Sequence, residues 1–323
     1  MARIVQWERQ IGRRLRLRDL SVLFAVVETG SMAKAAAQLG VSAPSVSAVI
    51  ADLEHTLGVR LFDRGPKGVL PTPYAQALLA RGRAAFDELR QGIRDIEFLS
   101  DPAAGEVRIG CPESVAAGFV LKVVERLTRR YPRMRLHVQQ VFTPTVEFPD
   151  LYERKVDLVV ARLVKLPVNG HLGDDLDAEV LFDDPFFVTV GRKSKWGRRR
   201  NVQLADLIDE PWVMTPLEAL GGAFLKEAFL SRGLPPPRLS IASFSIHLRN
   251  NLVSDSGFVT ALPRSVLSIS REHYDLKDLP IRLTAQPSPV ALVTLRHRTL
   301  GAAAQAFIRC AREVATVLSS NRG

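Results

Sequence analysis

Along the first sixty residues apolar side chains recur at helical spacing, and the gaps between them hold residues that start and stop helices. From Asp19 to Thr29, Leu20, Leu23, Phe24 and Val27 share one helical face. Gly30 ends that pattern. Ser31 is placed to cap a second helix, MAKAAAQL, which stops at Gly40, a residue that tolerates the left-handed conformation after a helix. Ser42 then caps a third, APSVSAVIADLEHTL, in which Pro44 falls in the first turn and an apolar stripe runs through Val46, Val49, Ile50 and Leu53. Helix, short glycine-containing turn, helix is the spacing of a helix-turn-helix, and the alanines let its two helices approach closely.

Two short apolar runs follow, Val59 to Phe62 and Val69 to Leu70, separated by a Gly, Pro and basic turn. They predict a hairpin wing carrying Arg60, Arg64 and Lys67. Thr72 and Pro73 open a long helix whose apolar residues repeat with a heptad period: Leu79, Phe86 and Ile93 in one row, Gly82, Leu89 and Ile96 in the other. Such a helix spans roughly 40 Å, too long to hide its stripe inside so small a domain, so a partner helix from a second subunit is the expected cover. Packing onto its own chain is the alternative, since three heptads are few and Gly82 weakens the seam.

Beyond the turn-forming linker SDPAAGE, strands alternate with helices: EVRIG, a helix from Ser114 to Arg130, MRLHVQQVF, a helix near Glu147 to Lys155, and DLVVARL. A second block contains PFFVTVG, PWVM, a helix from Glu218 to Ser231, LSIASF, a helix through Asn250, and GFVTALP. This alternation predicts parallel sheets with crossover helices. The closing strands LPIRL and VALVTLRH, with the helix Leu300 to Leu318, are expected to return to the first block. The fold class expected is α/β: a winged helix-turn-helix over residues 1–72, a linker helix and hinge over 73–105, and a two-lobed domain over 106–323. Lobe I would take about 106–180 plus 275–323, and lobe II about 181–274.

At 323 residues the chain has room for two or three domains, and its 46% hydrophobic and 24% charged residues are ordinary for a globular protein. No apolar run approaches the roughly 20 residues of a membrane helix, and the basic N-terminus lacks a cleavage site, so a cytoplasmic location is expected. The net charge of +10 favours a polyanionic partner. Basic residues concentrate in the N-terminal segment and in a second run, GRKSKWGRRR, at Gly191 to Arg200; a solvated surface is the plain reading of the second. Cys111 and Cys310 form neither a disulfide framework nor a metal cluster, and inert buried thiols are expected, with a redox switch as the alternative.

There is no Gly-rich phosphate loop, no G-x-S-x-G, no H-E-x-x-H and no Cys and His cluster, and the six histidines are scattered. An enzyme using a cleft between α/β lobes is therefore the weaker reading, and no metal or cofactor is expected. A purely interacting protein is the other rival, opposed by the basic wing directly after the helix pair.

The stretch GSMAKAAAQLGVSAPSVSAVIADLEHTLGVRLFDRGPKGVLPT resembles the winged helix-turn-helix of LysR-type transcriptional regulators, through Ser31, Ala35, Ala36, Leu39, Val41, Ser42, Pro44, Ser47, Ile50, Leu53, Glu54, Leu57, Gly58, Leu61, Phe62 and Arg64. The later VRIG, RYPRMRLHV, VDLVVARL, LADLIDEPWV and GFVTALP are similar to the family's effector domain. PWVMTP and YDLKDLPI look like the branch that regulates uptake or catabolism of sugars and aromatic acids. The resemblance implies a homodimer or dimer of dimers joined through the long helix, for which the heptad rows nominate Leu79, Phe86, Leu89, Ile93 and Ile96. It also implies a periplasmic-binding-protein-like domain with a small effector between its lobes, and RNA polymerase among its partners beside double-stranded DNA.

Three positions depart from the family's pattern: Ala43 where Gln is usual, Ala48 where Arg or Lys is common, and Ala75 where Gly follows the wing. Bidentate base readout needs Arg, Lys, Asn or Gln, so the recognition helix is blank at two such places. DNA contact is then expected from Ser31, Lys34, Ser42, Ala43, Pro44, Ser45 and Ser47, with Arg60, Arg64 and Lys67 on phosphates or in the minor groove. For the effector, strand ends and helix N-termini facing the cleft nominate Ser114, Arg162, Thr215, Ser243 and Ser245. Arg162 could equally be a surface residue or a lobe-to-lobe ion pair, and the serines could be helix caps.

Overall fold

The computed structural model describes residues 15–65, 68–101, 103–141, 148–164, 166–283 and 288–320. The chain divides into two compact units, Met1–Arg90 and Gln91–Gly323.

In the first unit, α1 (Leu17–Thr29), α2 (Met32–Leu39) and α3 (Ala43–Leu57) are closed by Gly30, Gly40 and Gly58, all left-handed. α1 begins two residues before the predicted Asp19, whose carboxylate accepts the Arg16 N–H at 2.9 Å and so caps the helix from inside. Ser31 and Ser42 act as the expected N-caps, accepting from the amides of Lys34 and Ser45. α2 and α3 meet at 111°, an angle proper to a helix-turn-helix, over a core of Leu23, Val26, Ala35, Val46, Ile50 and Leu61 from which water is excluded. The hairpin of β1 (Phe62–Gly65) and β2 (Gly68–Pro71) is antiparallel. Two anchors hold it: Glu54 Oε1 accepts the amides of Leu61 and Phe62 at 2.7 and 3.2 Å, and the Val69 amide donates to the Gly30 carbonyl. Gly68 is obligatory there, since its φ is +113° and a Cβ would stand 2.5 Å from that same carbonyl oxygen.

α4 (Pro73–Ser100) is the predicted long helix, with Thr72 Oγ1 accepting the Ala75 amide. Its apolar rows divide between the two alternatives, cover by its own chain and cover by a partner. Leu79 is buried in the core of its own unit, Gly82 lies against the Phe24 ring, and Phe86 meets Phe24 edge-on with centroids 5.5 Å apart. Leu79 is therefore a core residue of the winged helix rather than a seam residue, and Phe86 is half-covered by its own chain. Leu89, Ile93, Ile96 and Leu99 remain exposed, at 50, 60, 66 and 79%.

From Gln91 onward the same helix belongs to the second unit, held there by a buried polar cluster. Asp157 accepts from Arg298 (2.7 Å), from Gln91 (3.2 Å) and from the Arg108 amide (2.9 Å), while Asp95 caps the last helix by accepting the Ala302 amide at 2.9 Å. Gly301 lets Gln91 approach, because a Cβ there would stand 2.6 Å from the Gln91 side-chain oxygen.

The second unit has two sheets. Lobe I contains β3 (Ala104–Cys111), a helical segment made of α5 (Glu113–Val115), one π turn (Ala116–Val120) and α6 (Leu121–Arg130), then β4 (Arg133–Gln140), α7 (Pro149–Tyr152), β5 (Leu158–Arg162), β6 (His171–Leu172) and β7 (Leu176–Asp183). Lobe II contains β8 (Phe186–Gly191), β9 (Trp212–Met214), α8 (Leu220–Leu230), β10 (Leu239–Ala242), α9 (Ile246–Asp255), β11 (Val259–Pro263), α10 (Arg264–His273) and β12 (Leu276–Arg282). β13 (Pro289–Leu295) and α11 (Ala302–Ser320) complete lobe I, giving strand orders β4-β3-β5-β13-β7-β6 and β10-β9-β11-β8-β12.

Two expectations are corrected by these orders. The sheets are mixed: β13 runs antiparallel to β5 and β7, and β8 antiparallel to β11 and β12, so the first strand after each crossing is the one that runs opposite to its neighbours. LPIRL does not return to lobe I. It lies in and beside β12, which pairs with β8 and buries Leu276, Leu279 and Ile281 in lobe II, so only β13 crosses back. The helix expected near Glu147 to Lys155 shrinks to the single turn of α7 among the described residues.

Candidate functional sites

At the head of α3, Pro44, Ser45 and Ala48 are exposed, and Ala43 and Ser47 half-exposed, so the surface is small, apolar and hydroxylated. The Ser42 and Ser45 hydroxyls lie 2.7 Å apart and share a hydrogen bond, which leaves each with part of its capacity committed. Lys34 and Arg60 are exposed cations on the same unit, and Arg64 lies in β1 opposite Val69; Lys67 lies outside the described residues. Ala75, placed where a glycine was expected, is fully buried in the core with its amide on Thr72, so the methyl is accommodated.

Within the second unit a cavity of about 120 Å³ opens between the lobes. Its lobe I wall is the N-terminal turn of the helical segment (Glu113, Ser114) with Val141 and Arg162, and its lobe II wall is Phe186, Thr215, Leu220, Gly221, Phe244 and Arg249. The helical amides at Glu113 and Ser114 precede the first intrahelical donor, Val115, and make that corner favourable to negative charge.

Arg162 ends β5 with its side chain 3% exposed. Its Nη1 donates to the Asp184 carbonyl at 2.9 Å, its Nη2 to the Asp184 carboxylate at 2.5 Å, and its guanidinium lies 5.0 Å from the Phe186 ring centroid. Asp184 also accepts the amide and hydroxyl of Ser265, at 2.8 and 2.6 Å, at the start of α10 in lobe II. The ion-pair alternative for Arg162 is thus realised in the lobe crossing, and the same residue also lines the cavity. Among the described residues neither its buried Nε nor the buried Thr215 Oγ1 on the opposite wall has a hydrogen-bond partner. Gly221 gives Thr215 room, since a Cβ there would stand 3.0 Å from that hydroxyl.

Ser243 and Ser245 act as helix caps, the alternative left open for them. Ser245 Oγ caps α9 by accepting the Leu248 amide, and Ser243 Oγ accepts the Ser245 amide, so both complete a helix start while Phe244 between them reaches the cavity. Arg249, which sequence reasoning missed, is fully buried and donates to Thr260 Oγ1 and the Ala261 carbonyl; burial lowers its pKa to about 10, leaving it a cation at neutral pH. Its position in the polar run IHLRNNL carries no signal of such burial.

The family model described as LysR substrate binding domain matches residues 100–316, and the one described as bacterial regulatory helix-turn-helix protein, lysR family, matches residues 17–76. The chain belongs to the LysR family. Among curated relatives, this LysR regulator is 28% identical over 305 residues to the HTH-type transcriptional regulator GbpR of Azospirillum brasilense, covering 93% of this chain and 86% of that one. It is 25% identical over 297 residues to the HTH-type transcriptional regulator TdcA of Escherichia coli, covering 91% of each. Its fold is that of a full-length OxyR variant from Pseudomonas aeruginosa, with 20% identity, a TM-score of 0.62 and coverage of 92% of this chain and 98% of that one. It is also similar to full-length CbnR complexed with its target DNA, with 19% identity, a TM-score of 0.51 and coverage of 93% and 100%. As a LysR-type protein it is a DNA-binding transcriptional regulator with an effector-binding domain, and its family and relatives are regulators rather than enzymes. Among the described residues no single helix is long and apolar enough to cross a membrane.

Proposed function

We propose that this regulator acts in the cytoplasm as a homo-oligomer on promoter DNA, with RNA polymerase as the partner it influences, under control of a small carboxylic acid held in the interlobe cavity. The observation that carries the effector class is the pair of buried polar atoms on opposite walls, Arg162 Nε and Thr215 Oγ1, which have no partner among the described residues. A buried donor without an acceptor costs about 1–3 kcal/mol, and a carboxylate answering both atoms would remove that cost. Ser114 and the helix start beside it favour the same negative charge.

Val141, Phe186, Leu220 and Phe244 give the cavity apolar faces, beside the polar Glu113, Gln140 and Arg249. The apolar faces suit an aromatic or branched acid. The volume of about 120 Å³ is on the scale of the ~150 Å³ cavities that take up benzene.

On DNA, the exposed Pro44, Ser45 and Ala48 support a reading in which phosphates and groove shape contribute more than bidentate base contacts. Assembly through Leu89, Ile93 and Ile96 fits their exposure. The effector reading is tested by thermal shift of the intact protein against matched panels of aromatic, branched and polyhydroxy acids. A ligand at 100 times its Kd stabilises by about 2.7 kcal/mol. Thr215→Val and Ser114→Ala should each weaken the shift, and an aromatic acid that stabilises both variants as much as the parent would refute the placement.

A further inference from the structure

The basic run Gly191 to Arg200 is not used by either site described above. It holds six cationic side chains in nine residues, Arg192 to Arg200, and in the structure it is the turn that leaves β8. The turn is held from several sides. Ser194 Oγ donates to the Gly191 carbonyl at 2.7 Å and accepts the Gly197 amide at 3.1 Å. A Cβ at Gly197 would collide with the carbonyls of Gly191 and Arg192, so the backbone doubles back on itself there. Lys277, from β12, donates to the carbonyls of Gly197 and Arg199 at 2.8 and 3.2 Å. Trp196 is only 6% exposed, with the Lys195 ammonium and the Arg199 guanidinium 5.1 and 4.8 Å from its ring centroid.

Neutralisation within this turn is uneven. Arg192 and Lys193 share Asp275, and Lys195 pairs with Glu210. Among the described residues no carboxylate lies within ion-pair distance of Arg198, Arg199 or Arg200, and all three are exposed. Three adjacent guanidinium groups repel one another, and a braced turn cannot disperse them by moving. A fixed surface of this kind is stabilised by an occupant that supplies several negative charges at once. Guanidinium forks match phosphate oxygens in pairs, and arginine here outnumbers lysine two to one.

We propose that this turn is a second DNA-contacting surface, in which Arg198 and Arg200 bind backbone phosphates independently of sequence while the winged helix provides the specific contact. The proposal rests on the family assignment for its polyanion, DNA, and is independent of what occupies the interlobe cavity. Arg199 is left out of the contact set because its guanidinium lies against Trp196.

The test uses the full chain and a random-sequence duplex long enough to extend past a bound oligomer. Each phosphate contact contributes about 0.9 to the slope of log affinity against log salt concentration. Arg198→Ser combined with Arg200→Ser should therefore reduce the magnitude of that slope by about 1.8 for each protomer whose turn contacts the duplex. A control removes the same charge elsewhere in the second unit, Lys226→Ser with Arg309→Ser, both exposed side chains. The control should keep the wild-type slope.

Equal slopes for the arginine variant, the control and the wild type would overturn the proposal. Arg198→Lys with Arg200→Lys should keep the slope; its loss in this charge-conserving variant would show that the turn's fold rather than its charge is being read, and would also overturn it. An unchanged slope accompanied by weaker transcription in a purified system would assign the surface to an acidic protein instead of DNA.

Discussion

Asp157 is the residue on which the join between the long helix and the effector unit depends. It is 3% exposed and accepts three hydrogen bonds, from Arg298, Gln91 and the Arg108 amide, with a second guanidinium, that of Arg94, 3.8 Å away. Asp157→Ala takes the carboxylate away from the buried Arg298 guanidinium, itself 6% exposed, which keeps its hydrogen bond to the Val156 carbonyl. Breaking one side of a buried pair costs about 3–5 kcal/mol, because desolvation of the surviving ion is no longer offset. Replacing both members with apolar residues, Asp157→Leu with Arg298→Met, removes that ion but still strips an acceptor from Gln91 and from the Arg108 amide, at about 1–3 kcal/mol.

The double variant is therefore expected to be more stable than the single one. Urea unfolding followed by tryptophan fluorescence reads this directly, since Trp212 is fully buried and Trp196 nearly so, both in the effector unit. The two-unit chain requires that transition to be fitted separately from that of the winged helix. A loss under about 1 kcal/mol for Asp157→Ala, or a double variant as unstable as the sum of its parts, would show that the cluster does not hold the helix as argued.

Leu89→Asp with Ile93→Asp should split the oligomer in sedimentation, whereas Leu79→Ala should leave assembly intact and destabilise the winged helix by about 2–5 kcal/mol, because only Leu79 is buried within its own unit. A monomeric wild type at micromolar concentration contradicts the first half. Burial, reinforced by the nearby Glu113 charge, pushes the Cys111 thiol up to about 12, so it should resist iodoacetamide at neutral pH in the native protein; rapid labelling seen by mass spectrometry would contradict its placement. Burial pushes the Glu106 carboxyl up, but the Arg108 hydrogen bond and the charges of Arg94 and Arg108 outweigh it and hold the group below its ordinary 4.5. Its contribution is then present above 4.5 and lost as pH falls through the folded value, so Glu106→Gln should show a shallower acid-side loss of urea midpoint than the wild type.

Local chemistry was sufficient for the winged helix. Ser31, Gly40, Ser42 and Pro44 act through bonds to residues within a turn of themselves, so the order of types along the chain already implies helix, turn, helix. The exposed alanines of α3 were legible for the same reason, since a missing side chain can make no contact in any fold. The cytoplasmic reading and the effector candidates went further than local chemistry reaches.

Tertiary structure decided what depends on partners distant in sequence. A heptad row shows which residues of α4 are apolar but not what covers them, and Phe24 on α1 takes Gly82 and Phe86 while Leu89, Ile93 and Ile96 stay bare. β12 carries the same alternating pattern whichever sheet it joins, and its pairing with β8 follows from the chain having made only one crossing by that point. β7 and α10 escaped the sequence reading because acids and serines interrupt their apolar periods, and β6 because it is only two residues long. Arg249 and the dual place of Arg162 were hidden for the same physical reason: burial of a guanidinium is decided by acceptors such as Thr260, Ala261 and Asp184, which only the folded chain brings within hydrogen-bonding distance.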